Sequence, residues 1–193
     1  MAGMPVAEAS HIVDLMSGMN ELCRSVAPNA STSLYVSAFD FSPEMIRRSP
    51  QGWHFQVETH LADVLTWNFE PESADVVLSS FGLKTFSTEQ QSELARRVAV
   101  ILRPGGSFSF VEISVPRWKG LRWPYMFYLK YLIPWIGRLF LGNPENYRLL
   151  GIYTTAFGDC RHFAERLREN GLQVTFVDYF FSCATGVRGT KPV

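Results

Sequence analysis

Short apolar runs rich in β-branched and aromatic residues alternate with amphipathic stretches along the chain, and the alternation ends where two such runs follow each other directly. Residues 11–15, 33–39, 54–60, 74–79 and 107–113 read as strands. Helices fit between them. One covers 20–26, and a second opens at Ser42-Pro43-Glu44, with a capping residue followed by proline at the first helical position. A third covers 87–102, where Ser87 and Gln90 have capping-box spacing and Leu94, Val98, Ile101 and Leu102 form one stripe. Pro104-Gly105-Gly106 is expected to separate that helix from the strand at 107–113. Residues 159–170 form a last amphipathic helix. The runs at 173–179 and 182–187 lie too close for a crossover, so they pair as a hairpin. The pattern predicts an α/β fold: three layers, with a mostly parallel sheet and one antiparallel strand.

The length, 193 residues, suits a single domain. With 18 Lys+Arg against 18 Asp+Glu the formal charge is zero, which disfavours a nucleic-acid partner, and 47% hydrophobic residues exclude a disordered chain. Cys23, Cys160 and Cys183 are widely spaced and form neither a disulfide framework nor a metal half-site. The four histidines lack ligand spacing, so no metal is expected. The opening residues carry no leader pattern, and the expected location is cytoplasmic.

In an open parallel sheet, ligands sit at the carboxyl ends of the strands. The first strand runs into Asp14-Leu15-Met16-Ser17-Gly18-Met19-Asn20, a tight strand-to-helix turn. The second ends at Phe39-Asp40-Phe41-Ser42, where a carboxylate can accept both hydroxyls of a ribose or cap the next helix. The third leads to Leu61-Ala62-Asp63-Val64, whose acid could take a hydrogen bond from an adenine amino group. Acids at successive strand ends suit a nucleoside carrying positive charge; a phosphate would want lysine or repeated glycine there.

This order of signals, continued by Ser80-Phe81-Gly82-Leu83, Leu102-Arg103-Pro104-Gly105-Gly106 and Val111-Glu112, resembles the Rossmann-like class I S-adenosylmethionine-dependent methyltransferases. More narrowly, Tyr131-Leu132-Ile133-Pro134-x-Ile136-Gly137, Asn146-Tyr147-Arg148 and Gly186-x-Arg188-Gly189-x-Lys191 resemble the ubiquinone/menaquinone biosynthesis C-methyltransferase (UbiE) family. The resemblance implies a cofactor set of Asp14, Met16, Ser17, Gly18, Met19 and Asn20 from the first loop and Asp40, Phe41 and Met45 from the second. Ala62, Asp63 and Val64 from the third strand end and Ser79 and Ser80 from the fourth complete it. It also implies a helical lid over about 116–157, with Tyr125, Tyr128, Tyr131, Trp135 and Tyr147 toward the substrate. By position, Lys84, Tyr147 and Glu112 are the candidates for the base that deprotonates a phenol.

The chain departs from the family pattern at four places. Met16 and Asn20 stand where glycines are usual, and Lys84-Thr85 replaces an Arg-Asn pair expected to face the substrate. The first strand starts only about ten residues into the chain, ahead of which the family has covering helices, so a homodimer or partner covering the cofactor site enters as one reading. Leu150-Gly151-Ile152-Tyr153-Thr154 differs on the substrate side.

The zero net charge conceals an asymmetry. Between Glu112 and Glu145 there is no acid, while Arg117, Lys119, Arg122, Lys130 and Arg138 all fall inside. Over 118–141 these cations interleave with Trp118, Trp123, Tyr125, Phe127, Tyr128, Tyr131, Trp135 and Phe140. Pro124, Pro134 and Gly137 prevent a membrane span. The composition suits either an interfacial segment in peripheral contact with anionic lipid or an amphipathic lid packed on its own domain. The leading expectation is S-adenosylmethionine-dependent C-methylation of an aromatic ring, with a prenylated quinol as one substrate. A degenerate lipid-binding or partner module and a methyltransferase of a soluble aromatic metabolite are the alternatives.

Overall fold

The computed structural model describes residues 7–135 and 144–193, and for 144–148 the backbone alone. Seven strands form one sheet in the order β3-β2-β1-β4-β5-β7-β6. In chain order the elements are β1 (His11–Leu15), α1 (Glu21–Val26), β2 (Tyr35–Asp40), α2 (Pro43–Arg48), β3 (Gln56–Leu61) and β4 (Ala74–Ser80). Then follow α3 (Thr88–Ile101), β5 (Leu102–Ile113), α4 (Lys119–Phe127), α5 (Pro144–Phe157), α6 (Arg161–Glu169), β6 (Gln173–Tyr179) and β7 (Ala184–Thr190).

β1 to β5 pair in parallel, and β7 inserts antiparallel between β5 and β6. The order reverses at β1, so the crevice between the β1 and β4 ends is where a ligand of such a sheet binds. Period-2 alternation gives the sheet two apolar faces. Val13, Leu15, Val77, Phe108 and Phe110 pack with Leu94 and Val98 of α3 and Phe163 and Leu167 of α6. Ile12, Val36, Val76 and Leu78 pack on the other side with Cys23 and Val26 of α1.

The helix starts follow local chemistry. Ser42 caps α2 by accepting from Met45 N, and Ser87 and Gln90 make both bonds of the capping box at α3. Some boundaries differ from the sequence expectation. Pro104-Gly105-Gly106 does not precede β5: the strand begins at Leu102, bulges between the Ala74 and Val76 pairings, and closes on the C-terminal segment through Gly105 N to Lys191 O and Lys191 N to Gly106 O. The last helix starts at Arg161, because Asp159 turns back to accept from Arg161 N. β7 starts at Ala184 and runs to Thr190, because Phe180–Ser182 forms a separate turn with positive φ throughout.

The segment from β5 to α6 holds α4, a π-helical turn (Tyr128–Leu132) and α5. Among the described residues, no helix is long and apolar enough to cross a membrane. Ile136-Gly137, Arg138 and Phe140 of the sequence motifs lie outside the described residues, as does the Tyr147 side chain.

Candidate functional site

The crevice at the β1 and β4 ends is built on a loop with an unusual backbone. Met16, Gly18 and Asn20 all adopt left-handed conformations, with φ of 59°, 57° and 56°. Glycine accepts this freely and asparagine tolerates it, whereas methionine bears a steric cost of roughly 1–2 kcal/mol. The backbone therefore keeps a glycine-type path without the glycines. Met16 also fills space over Gly82: a Cβ on Gly82 would lie 2.7 Å from both Cβ and Sδ of Met16.

Asp40, at the end of β2, locks this loop. Its Oδ2 accepts from Gly18 N at 2.8 Å and its Oδ1 from Ser42 N at 2.8 Å. The carboxylate thus reaches the turn ahead of α2 and also crosses to the first loop, and each oxygen keeps acceptor capacity. Phe41 and Met45 stand exposed beside it. At the third strand end Ala62 N bonds Asp40 O, Val64 is buried, and the exposed Asp63 uses Oδ1 on Leu65 N, leaving Oδ2 outward.

Deeper in the crevice, polar groups are buried without bonds. Both carboxyl oxygens of Asp14, the hydroxyls of Ser17 and Ser79, and Oδ1 of Asn20 lack partners among the described residues. Asn20 Nδ2 does reach Thr59 Oγ1, at 3.2 Å. Burial, reinforced by the nearby Asp40 charge, raises the Asp14 carboxyl well above the usual carboxylate range. Buried polar groups in native proteins are almost always satisfied, so such a set beside a carboxylate-locked loop has the character of a polar, cation-favouring ligand site.

The next layer surrounds Glu112, at the end of β5. Its carboxylate is fully enclosed and accepts from Lys84 N at 3.0 Å, Lys84 Nζ at 3.1 Å and Ile113 N at 2.7 Å. Lys84 Nζ also bonds Phe81 O. Enclosure raises the Glu112 carboxyl, and Lys84 offsets part of the effect. Glu112 thus holds Lys84 through two bonds, and Lys84 in turn reaches Phe81 O.

The tyrosines and tryptophan expected over the substrate separate. Tyr125 donates to Cys183 O at 3.0 Å, and burial pushes its phenol up to about 12. Tyr128, Tyr131 and Trp135 are exposed, and Tyr131 lines a cationic cavity with Val115 and Arg117, just past the end of β5.

The match to known proteins covers the same ground. A model of the ubiE/COQ5 methyltransferase family matches residues 1–191. The chain belongs to that family. It is 29% identical over 168 residues to the demethylmenaquinone methyltransferase of Corynebacterium urealyticum, covering 87% of this chain and 70% of that one. To the enzyme of the same name from Bacillus velezensis it is 25% identical over 173 residues, covering 88% and 73%. Human N-acetylserotonin methyltransferase in complex with S-adenosylmethionine shares the fold, with a TM-score of 0.62 at 16% identity. That alignment covers 97% of this chain and 49% of the human one, so the chain spans about half its length.

As a family member the chain is an S-adenosylmethionine-dependent methyltransferase. The crevice fits the cofactor: it offers the Asp14 carboxyl and the Ser17 and Ser79 hydroxyls without partners among the described residues and no cation within the loop, as a sulfonium-bearing nucleoside requires. Sequence reasoning missed Thr59, which tethers Asn20, the Met16 contact with Gly82, and Tyr179 and Ser109, which line a cavity of about 180 Å³ with Leu22 and Ser79. None carries a local signal, because each depends on which strands become neighbours.

Proposed function

We propose that the chain transfers a methyl group to a carbon of an electron-rich aromatic ring, with a prenylated quinol as the substrate class. The observation that carries the cofactor side of this reading is the set of buried, unpartnered polar atoms of Asp14, Ser17, Asn20 and Ser79 at the β1 and β4 ends. Asp40, oriented by Gly18 and Ser42, takes the ribose hydroxyls, and the outward oxygen of Asp63 takes the adenine amino group. Asp14 balances the cofactor's positive charge from below. When bound, S-adenosylmethionine supplies an electrophilic methyl on a sulfonium.

The protein's share of the work is alignment and exclusion of water. Phe81, exposed at the β4 end, offers apolar surface to the ring. A phenol becomes carbon-nucleophilic on losing its proton, and the Lys84 ammonium, held by Glu112 and Phe81 O, favours the phenolate electrostatically. The class of substrate rests on the ubiE/COQ5 family and on relatives named demethylmenaquinone methyltransferase.

Calorimetric titration with S-adenosylmethionine, followed by transfer of labelled methyl to demethylated quinols and to soluble phenols, tests the reading. Saturable cofactor binding with label recovered on a quinol ring carbon is expected. Folded protein that binds no cofactor, or that methylates only soluble phenols or an oxygen, overturns it.

A further inference from the structure

The largest cavity described begins at Val115 and Arg117, just past the carboxyl end of β5. It measures about 820 Å³ and sits between the α4 segment and the start of α6, and none of its lining residues belongs to the cofactor set. Arg117, Lys119, Arg122, Lys130 and Arg161 face it, with Asp159 as the only acid among the described lining residues. Asp159 is already spent on Arg161, accepting from its backbone N at 2.9 Å and pairing with its guanidinium, which also lies 4.6 Å over the Phe176 ring. Arg122 uses Nε on Pro116 O at 3.0 Å, and among the described residues the rest of its guanidinium has no partner. Among the described residues, no carboxylate pairs with Arg117, Lys119 or Lys130. Like charges gathered around one hollow repel each other unless an anion enters it.

A second observation specifies the anion's setting. Trp123, Phe127 and Tyr131 follow one another at four-residue spacing beside this cavity, 74%, 48% and 63% exposed. Trp123 stacks on Phe127 at 5.7 Å and 17°, and Phe127 meets Tyr131 at 5.2 Å and 39°. Stacking platforms for nucleic-acid bases need free ring faces, whereas Trp123 and Phe127 each spend one face on the other. They present edges and an apolar ridge, the form that seats among lipid headgroups. A third observation comes from the β6–β7 turn, where Phe180 and Phe181 project 81% and 84% exposed. Cys183, next in that turn, is the residue whose carbonyl receives Tyr125 of α4, so the two apolar projections are joined.

We propose that this cavity binds the phosphate headgroup of anionic membrane lipids, with Arg117, Lys119, Arg122 and Lys130 on the phosphate and Trp123, Phe127 and Tyr131 seated in the interface. The volume exceeds that of a phosphate and accommodates a phosphodiester with its glycerol. The cavity shares no lining residue with the cofactor set, so lipid binding and cofactor binding are measured separately.

Flotation of the full chain with phosphatidylcholine vesicles, with and without phosphatidylglycerol, is the test. Partition onto the anionic vesicles alone is expected, with release as salt rises. An Arg117→Gln/Lys130→Gln variant should lose partition roughly thirtyfold, from about fivefold for each charge near the surface, with affinity for S-adenosylmethionine unchanged. Lys119→Gln/Lys130→Gln serves the same purpose if the first pair fails to fold. Equal partition onto neutral vesicles, or partition indifferent to both variants, overturns the proposal. So does displacement from vesicles by millimolar glycerol phosphate, which would mark a soluble phosphate ester as the ligand, or by a single-stranded oligonucleotide.

Discussion

Glu112 and Lys84 form an ion pair of 3.1 Å in which the acid side chain is 0% and the lysine side chain 9% exposed. Such a pair is costly to break from one side, because the remaining charge stays buried without its partner. Lys84→Met should cost about 3–5 kcal/mol in urea denaturation. Adding Glu112→Met should return most of that loss, since an apolar pair of similar volume avoids the desolvation penalty. Methyl transfer, in contrast, should stay impaired in the double variant, because the ammonium near Phe81 is gone.

Asp14 gives stability an unusual pH dependence. Its folded-state pKa is raised by burial and then by Asp40, so its contribution is fully present below about 3.8 and is lost as pH rises through the folded-state value. Asp14→Asn removes this loss. The stability of the variant relative to the parent should therefore grow with pH from about 3.8 upward and level off above the folded-state pKa, as followed by thermal melts across pH.

The same carboxyl couples protonation to cofactor binding. A cation brought beside Asp14 favours the ionised form, so S-adenosylmethionine should displace a proton at pH values where the free site is protonated. Calorimetry in buffers of different ionisation enthalpy reads this directly, with release of up to about one proton per cofactor bound. Asp14→Asn should bind more weakly and release none. A buffer-independent heat in the parent would remove Asp14 from the charge-balancing role.

How much of this was legible in the sequence depended on range. The β-branched runs, the Ser42 and Ser87 caps and the terminal hairpin were readable because their physics lies within a few residues. Asp40 was readable as a strand-end acid, yet its bond to Gly18 required the β1–β2 register. The Lys84–Glu112 pair was invisible as a pair, since it forms only when β4 and β5 lie side by side. The aromatics of the inserted segment read as one group. Their division into an inward Tyr125 and an outward Trp123–Phe127–Tyr131 ridge is set by the path of α4 and the π-helical turn after it.

Met16 and Gly82 should prove energetically coupled. A methyl group on Gly82 would sit 2.7 Å from Met16 Cβ, an atom fixed by the backbone. Gly82→Ala alone should therefore destabilise, whereas in a Met16→Gly background the same change should be nearly neutral. A double-mutant cycle by chemical denaturation should give a coupling of about 1–3 kcal/mol. Met16→Gly itself exchanges roughly 1–2 kcal/mol of left-handed strain for lost packing, so its own effect on stability should be small.

The closing motif has a packing basis that the hairpin makes testable. At Gly189 a Cβ would lie 1.7 Å from Gln173 O and 2.9 Å from Phe108 Cζ, so β6 and the β5 core both occupy the space a side chain needs. Neither neighbour can yield, the first being backbone of the paired strand and the second a fully buried ring. Gly189→Ala should therefore unpair β6 from β7, with a loss above about 4 kcal/mol or failure to fold. Gly158→Ala is the control: its φ is +73° but nothing lies within 4 Å of the added carbon, so it should cost only the left-handed term of about 1–2 kcal/mol. Hydrogen exchange should separate the two, with Gly189→Ala exposing the amides of Gln173–Tyr179 and Ala184–Thr190 and Gly158→Ala leaving them protected. Equal protection in both variants would show that the strand pairing absorbs the added carbon.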